Sequence, residues 1–175
     1  ENAATVLPLN FRVNMPPEQH DQMKNMIPER QIGRLYVVGS NDTTAPIIDA
    51  SYRRYLEAME AHLQTQPYML GKRPGAADFA MFGQLTQLVG FDPTPRAIAH
   101  QLSPRTVAWT SLMEDLSGLE PGADDWNGAD QMPATLRGIL TEVGRMYVPA
   151  LLANSRALQA GEKSWEAEID GSPWT

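Results

Sequence analysis

The sequence predicts an all-α fold, a helical bundle with a short β-hairpin at its C-terminal end. Two observations carry this. Apolar residues recur at helical spacing in five segments separated by Pro- and Gly-rich breaks. Strict alternation of apolar and charged residues is confined to Trp165–Asp170, where Asp170-Gly171 follows as a hairpin turn signal.

Residues 1–16 lack a sustained period and read as an extended or irregular lead-in. Pro17 and Glu18 suit the first turn of a helix. Met23, Met26, Ile27, Arg30 and Arg34 continue its spacing to about Val38, with a kink or a division into two short helices expected at Pro28. The turn formers Gly39 to Thr44 make a loop. Pro46 then opens the strongest helix, whose stripe is Ile48, Tyr52, Tyr55, Leu56, Met59 and Leu63. Arg53, Arg54, Glu57 and Glu60 fill its other face, with Arg53–Glu57 spaced as an i,i+4 pair.

A helix rich in small residues follows, from about Ala76 to Gly90. Its low charge predicts a central, buried position, with Ala80 and Gly83 allowing close approach of a neighbour. Asp92-Pro93-Thr94-Pro95 breaks the chain. Ser103-Pro104 reads as an N-cap and first helical residue, leading into Val107, Ala108, Leu112 and Leu116. An acidic loop, 117–133, precedes a long helix from about Ala134 to Ala160, kinked at Pro149 and stopped by Gly161. Pro173 weakens the return strand of the hairpin.

The chain has 175 residues. For its mass, surface scaling gives about 8,500 Å² exposed when folded and about 70% of the unfolded surface buried, so a core can form without disulfides or metals. A single domain is expected. The net charge of −7 disfavours nucleic acid and anionic membrane as partners. There is no Cys, no apolar run long enough to span a membrane and no secretory h-region. A cytoplasmic protein is the expectation. The chain begins at Glu1 without Met and stops at Thr175 in mid-motif, which predicts a piece of something longer.

No catalytic constellation stands out. His20, His62 and His100 have no ligand spacing, and His62 reads as a charge suited to a helix C-terminus or as structural. Asp124 to Asp130 invites a calcium loop. Aligning Gly128 with the loop glycine, however, puts Ala123 and Ala134 at the first and the bidentate ligand positions, so a solvated acidic loop is expected and no metal. Glu57 and Glu60 share a face with arginines, which reads as a solvated surface rather than an acid–base pair. Tyr52, Tyr55, Phe79, Phe82 and Trp109 suit a core by their spacing. Tyr52, Tyr55, Phe82 and Trp109 are kept as candidate pocket lining.

The helix at 46–66 and the run Leu70-Gly71-Lys72-Arg73-Pro74-Gly75-Ala76-Ala77-Asp78-Phe79-Ala80 together resemble the C-terminal helical domain of the glutathione transferase family. There a long helix leads through a loop of the form L-x-G-x-x-P into a helix opened by S/T-x-x-D, a capping box. Asp78 matches the family Asp, whereas Gly75 replaces the Ser/Thr, so the Asp half of the box is expected to survive and the hydroxyl half to be lost. Ser103-Pro104-Arg105-Thr106-Val107-Ala108-Trp109 is similar to the family's next helix. The resemblance covers about 44–117, and 131–175 looks like an extension of some bacterial members.

The resemblance implies a helical domain that contributes the hydrophobic substrate-site wall and part of a dimer interface. It implies glutathione as cofactor only for a parent protein whose N-terminal thioredoxin-like domain activates the thiol. The partners implied are that domain and a second copy in a homodimer. This chain alone is then expected to be inactive, with no catalytic residue to assign. The alternative is a non-catalytic module of the same fold that binds a protein partner.

Overall fold

A computed structural model describes residues 2–175. The chain is mostly helical and ends in a small antiparallel hairpin. Helices α1 (Asn2–Phe11) and α2 (Pro17–Ile32) lead through a 3₁₀ turn, Leu35–Val38, into α3 (Ala45–Leu63). Next come α4 (Ala76–Leu85), which widens into a π-helical stretch at Thr86–Phe91, then α5 (Pro93–Leu102) and α6 (Pro104–Leu112). After a long loop come α7 (Ala134–Glu142), a second π-helical stretch at Val143–Tyr147, and α8 (Val148–Ala160). Strands β1 (Ala167–Ile169) and β2 (Ser172–Trp174) close the chain.

Helix α3 is the axis on which the bundle is built, packed by α5, α6 and α7. One side of its stripe joins Leu56 to Leu85, Val89, Ala99, Trp109 and Met113. The other joins Met59 to Met69, Leu136 and Ile139. The two clusters meet through Tyr55, Leu63 and Met81, so one helix with a wide apolar face glues two layers of helices together.

The corner between α3 and α4 is held by polar groups. Asp78 is fully buried, and its carboxylate accepts from the Gly75 amide at 2.9 Å and the Met69 amide at 3.0 Å. Gly75 has no side chain to return the cap, so the N3 amide has only the Gly75 carbonyl, at 3.0 Å. His62 lies opposite, between the Thr135 hydroxyl (2.9 Å) and the Tyr68 carbonyl (3.1 Å). Burial lowers its pKa, against the pull of the Tyr68 carbonyl and Asp78. It is a neutral, buried tether and not the dipole-facing charge its position near the helix end suggested.

Several sequence expectations are corrected. Residues 2–11 are helical rather than an irregular lead-in; Glu1 lies outside the described residues. The ring nitrogen of His20 meets the Thr5 carbonyl at 2.8 Å, and α1 packs on α2, so a partner helix supplies what the local pattern lacked. Helix α2 runs through Pro28 undivided to Ile32, and none of its residues is buried. The Asp92–Pro95 break is also a start: Asp92 accepts from the Thr94 amide and caps α5. Ser103 does not cap α6. Its hydroxyl turns to Thr106 and to Glu60, and Glu60, reaching across from α3, accepts from the Arg105 amide at 3.0 Å and from the Arg105 guanidinium.

Glu60 is therefore a cap supplied by a neighbouring helix rather than part of a solvated face. Burial pushes its carboxyl up, but the donors from Arg105 and Ser103 outweigh this and leave it lowered. Arg53 turns one turn back to Asp49, at 2.7 Å, instead of forward to Glu57. Helix α4 is not central: Phe79, Ala80 and Gly83 face solvent, and nothing approaches within 4 Å of where a Cβ on Gly83 would stand. At the expected kink, a π-helical stretch, Val143–Tyr147, gives way to α8, and Pro149 lies in the first turn of α8, where a missing N–H is tolerated.

The acidic loop is docked rather than solvated where it passes the 66–73 turn. The Lys72 amide donates to the Asp125 carbonyl, Asn127 donates to the Leu70 carbonyl, and the Asn127 amide reaches Gln66. Gly71 has φ +139°, and a Cβ there would stand 2.5 Å from the Asp125 carbonyl oxygen, so only glycine fits between the two segments. The hairpin pairs Ile169 with Ser172 around Asp170-Gly171, both at positive φ as a tight two-residue turn requires. Pro173 faces Glu168 in the next, non-hydrogen-bonded pair, where its missing N–H costs the ladder nothing.

Replacing Asp78 by Ala strands the buried Met69 amide and uncaps the part-buried Gly75 amide, and is expected to cost about 2–3 kcal/mol of unfolding free energy, read from urea midpoints. Gly75→Ser has room, with the nearest atom 3.8 Å from its Cβ. It should restore the hydroxyl cap and gain about 0.5 kcal/mol in the same assay.

Candidate functional site

The stripes of α3 and α7 extend further than their shared core can cover, and the surplus lines a cavity of about 340 Å³. Helix α3 contributes Ile48, Ser51, Tyr52 and Tyr55. Helix α7 and its π-helical continuation contribute Ile139, Glu142, Val143, Met146 and Tyr147. The wider π-helical turn carries much of this wall, a geometry that recurs at functional positions.

Almost all of the lining is apolar, and its charged group is already occupied. Glu142 accepts from Ser51 at 2.7 Å and from two nitrogens of Arg54 at 2.7 and 2.8 Å. Arg54 also reaches Asp170 at 3.3 Å, and Asp170 pairs with Arg145 at 2.6 Å. This network ties α3, α7 and the hairpin turn together beneath the cavity. The bonds from Arg54 hold the Glu142 carboxyl below the usual carboxylate range; burial opposes them, and Ser51 adds to them. Burial raises both tyrosines, Tyr55 far above the ordinary phenol value, so their hydroxyls stay protonated. The Tyr52 hydroxyl donates to the Pro95 carbonyl at 3.2 Å.

Of the four candidate lining residues, the structure brings Tyr52 and Tyr55 to this cavity and leaves the other two elsewhere. Phe82 packs against the Leu56 cluster. Trp109 is buried in that cluster, its indole N–H donating to the Pro67 carbonyl at 3.0 Å, and it borders a separate hollow of about 260 Å³ with Tyr68 and Arg105. Sequence reasoning had Ile48, Ile139, Val143 and Tyr147 on apolar stripes but not facing one another. Ser51, Glu142 and Met146 gave no signal, because their pairing spans about ninety residues of chain.

The arrangement can hold an uncharged apolar molecule. Its carboxylate is consumed by Arg54 and Ser51, and no thiol is present in the chain. Among the described residues no group of three or more His, Asp or Glu could hold a metal ion. No helix is long and apolar enough to cross a membrane among them either.

Because the folded pKa of Glu142 is depressed, its contribution to stability is full above the ordinary carboxylate pKa and is lost as pH falls through the depressed value. Glu142→Gln is expected to cost about 2 kcal/mol at pH 7 and to flatten the acid limb of stability against pH, measured by urea unfolding between neutral and strongly acidic pH.

The whole chain matches no curated protein and no solved structure. Residues 42–120 match the family model described as glutathione S-transferase, C-terminal domain. That span runs from the loop before α3 through α6, the order and corner on which the resemblance rested. Over that span, which is under half of the chain, helices α3 to α6 are similar to those of a glutathione S-transferase C-terminal domain.

Proposed function

We propose that this chain is the helical half of a cytoplasmic transferase-like protein, and that the cavity between α3 and α7 forms part of the wall of its hydrophobic acceptor-substrate site. The observation that carries the reading is the cavity's lining: apolar groups throughout, with its carboxylate neutralised internally by Arg54. Such a surface favours an uncharged electrophile and offers nothing to activate a thiol. Glutathione and its activation then belong to a thioredoxin-like domain of the parent protein. The exposed apolar residues of α7 and α8, Leu140, Leu151, Leu152 and Leu158, suit contact with that domain or with a second copy in a homodimer.

The reading of a non-catalytic module that binds a protein partner draws on a different feature. Tyr36, Val37 and Val38 stand in a row before α3 and are more than half exposed, as an interaction surface would be.

Titrating the chain with a chlorodinitrobenzene, a neutral electrophile, is expected to quench its intrinsic fluorescence. Val143→Trp, which fills the cavity, should abolish the effect. Calorimetry with glutathione should give no heat, and conjugation should stay at the uncatalysed rate. Turnover by the chain alone, or electrophile binding indifferent to Val143→Trp, overturns the assignment.

A further inference from the structure

Of the asparagines in the chain, Asn127 alone is followed by glycine. It sits where the acidic loop docks on the 66–73 turn, half-buried, with Gly128 exposed beside it. Its backbone N–H donates to the Leu70 carbonyl, and its side-chain amide donates to Gln66 Oε1 at 3.1 Å. Its own Oδ1 lies against Gly71, 3.4 Å from where a Cβ there would stand.

The Gln66 end of this bond has one orientation. Gln66 Nε2 donates to the Tyr68 carbonyl at 3.0 Å and to the Met69 carbonyl at 2.9 Å, so its oxygen faces Asn127 as an acceptor. Turning the Gln66 amide over would set that oxygen against two carbonyl oxygens. Position 127 therefore needs a donor. A carboxylate there only accepts, and it would face Gln66 Oε1 in a half-buried place, where unmatched acceptors are costly. Asp124, Asp125 and Asp130 share its loop. Of the two cations on the facing turn, Lys72 and Arg73, the latter is drawn to Asp125 at 3.9 Å.

The local chemistry supplies such a carboxylate. Glycine has no side chain to hinder the approach of its nitrogen to the preceding side-chain amide. Gly128 is extended, with φ −65° and ψ 165°, just ahead of a 3₁₀ turn, Ala129–Gln131. Its N–H donates to the Gln131 side chain at 3.3 Å, so no helix or strand ladder holds this nitrogen.

We propose that Asn127 is a site of spontaneous deamidation, and that its conversion releases the acidic loop from the 66–73 turn. The Gly128 nitrogen attacks Cγ of Asn127. The new N–Cγ bond forms, the Cγ–Nδ2 bond breaks, and ammonia leaves with the proton that the nitrogen gives up. Water then opens the resulting succinimide at either carbonyl, leaving aspartate or isoaspartate. Both products remove the donor to Gln66 and add a negative charge. Isoaspartate also lengthens the main chain by one atom before Gly128. The change runs one way, so the docked loop is the form in which the chain is made and the freed loop the form into which it ages. The step is independent of the α3–α7 cavity.

Incubation of the full chain in warm, mildly alkaline buffer, followed by peptide mapping with mass spectrometry, tests this. Asn127 is expected to gain the mass of NH2 replaced by OH ahead of the other asparagines. Trp126 is half-exposed, but its backbone is held opposite Gly71. Chymotryptic cleavage after Trp126 should therefore rise in step with the mass gain. Asn127→Asp, made at the outset, should be cleaved there about tenfold faster than the fresh wild-type chain, the effect of losing one half-buried hydrogen bond. Gly128→Ala requires only the Asp130 carboxylate to move aside. It should keep the loop docked and slow both changes. Asn127 left intact in the folded chain, equal conversion in Gly128→Ala, or cleavage of Asn127→Asp at the fresh wild-type rate overturns the proposal.

Discussion

The fold hangs on the carboxylate of Asp78. The chain must turn from α3 into α4 through a segment whose Met69 enters the core, where a backbone amide without a partner is costly. Asp78 is fully buried and meets the two amides, of Met69 and Gly75, that the turn would otherwise strand. With that corner fixed, Met69 is delivered to the Met59 cluster and Leu85 to the Leu56 cluster, so both halves of the core are placed by one side chain. His62 and Gln66 complete the set by holding the Tyr68 and Met69 carbonyls. A short polar sequence thus determines how two apolar layers meet.

The same logic recurs where charge is used. Arg54 and Glu60 sit on the face of α3 that looks hydrophilic in sequence, and neither is simply solvated. Glu60 caps the start of α6, and Arg54 gathers Glu142 and Asp170. Each joins elements far apart in the chain, so α3 organises its neighbours with its polar face as well as its apolar one. Pairs of this kind add little when fully exposed, but a partly buried carboxylate with several donors fixes register and orientation.

Much of this was legible in the residues. The α3 stripe, the break at Gly39–Thr44, the hairpin at Asp170-Gly171 and the corner at Gly75–Asp78 are local patterns, and the structure forms these elements. What was not legible is non-local. Glu60 and Arg105, or Ser51 and Glu142, carry no mark in sequence that they will meet. Helix α1 has no amphipathic stripe to announce it, because its neighbour α2 is its support. Small residues on α4 suggested a crowded face, yet nothing in a composition says whether a partner arrives. The candidate site shares this division: Tyr52 and Tyr55 were found from the α3 stripe, while the wall opposite them came only from tertiary packing.

The weld between the acidic loop and the turn at Gly71 bears on how the chain tolerates cutting and insertion. Residues 118–124 are exposed, with few bonds to the rest, and are where a protease or an inserted segment finds room. A few residues later, the Lys72 and Leu70 backbones grip Asp125 and Asn127 across a gap that only glycine allows. A chain nicked at 118–124 therefore stays assembled: its two pieces are held by the weld at Gly71, by Arg54 with Glu142, and by the shared face of α3 and α7. The loop is permissive on one side of Asp125 and intolerant on the other, a boundary that its uniformly polar composition conceals.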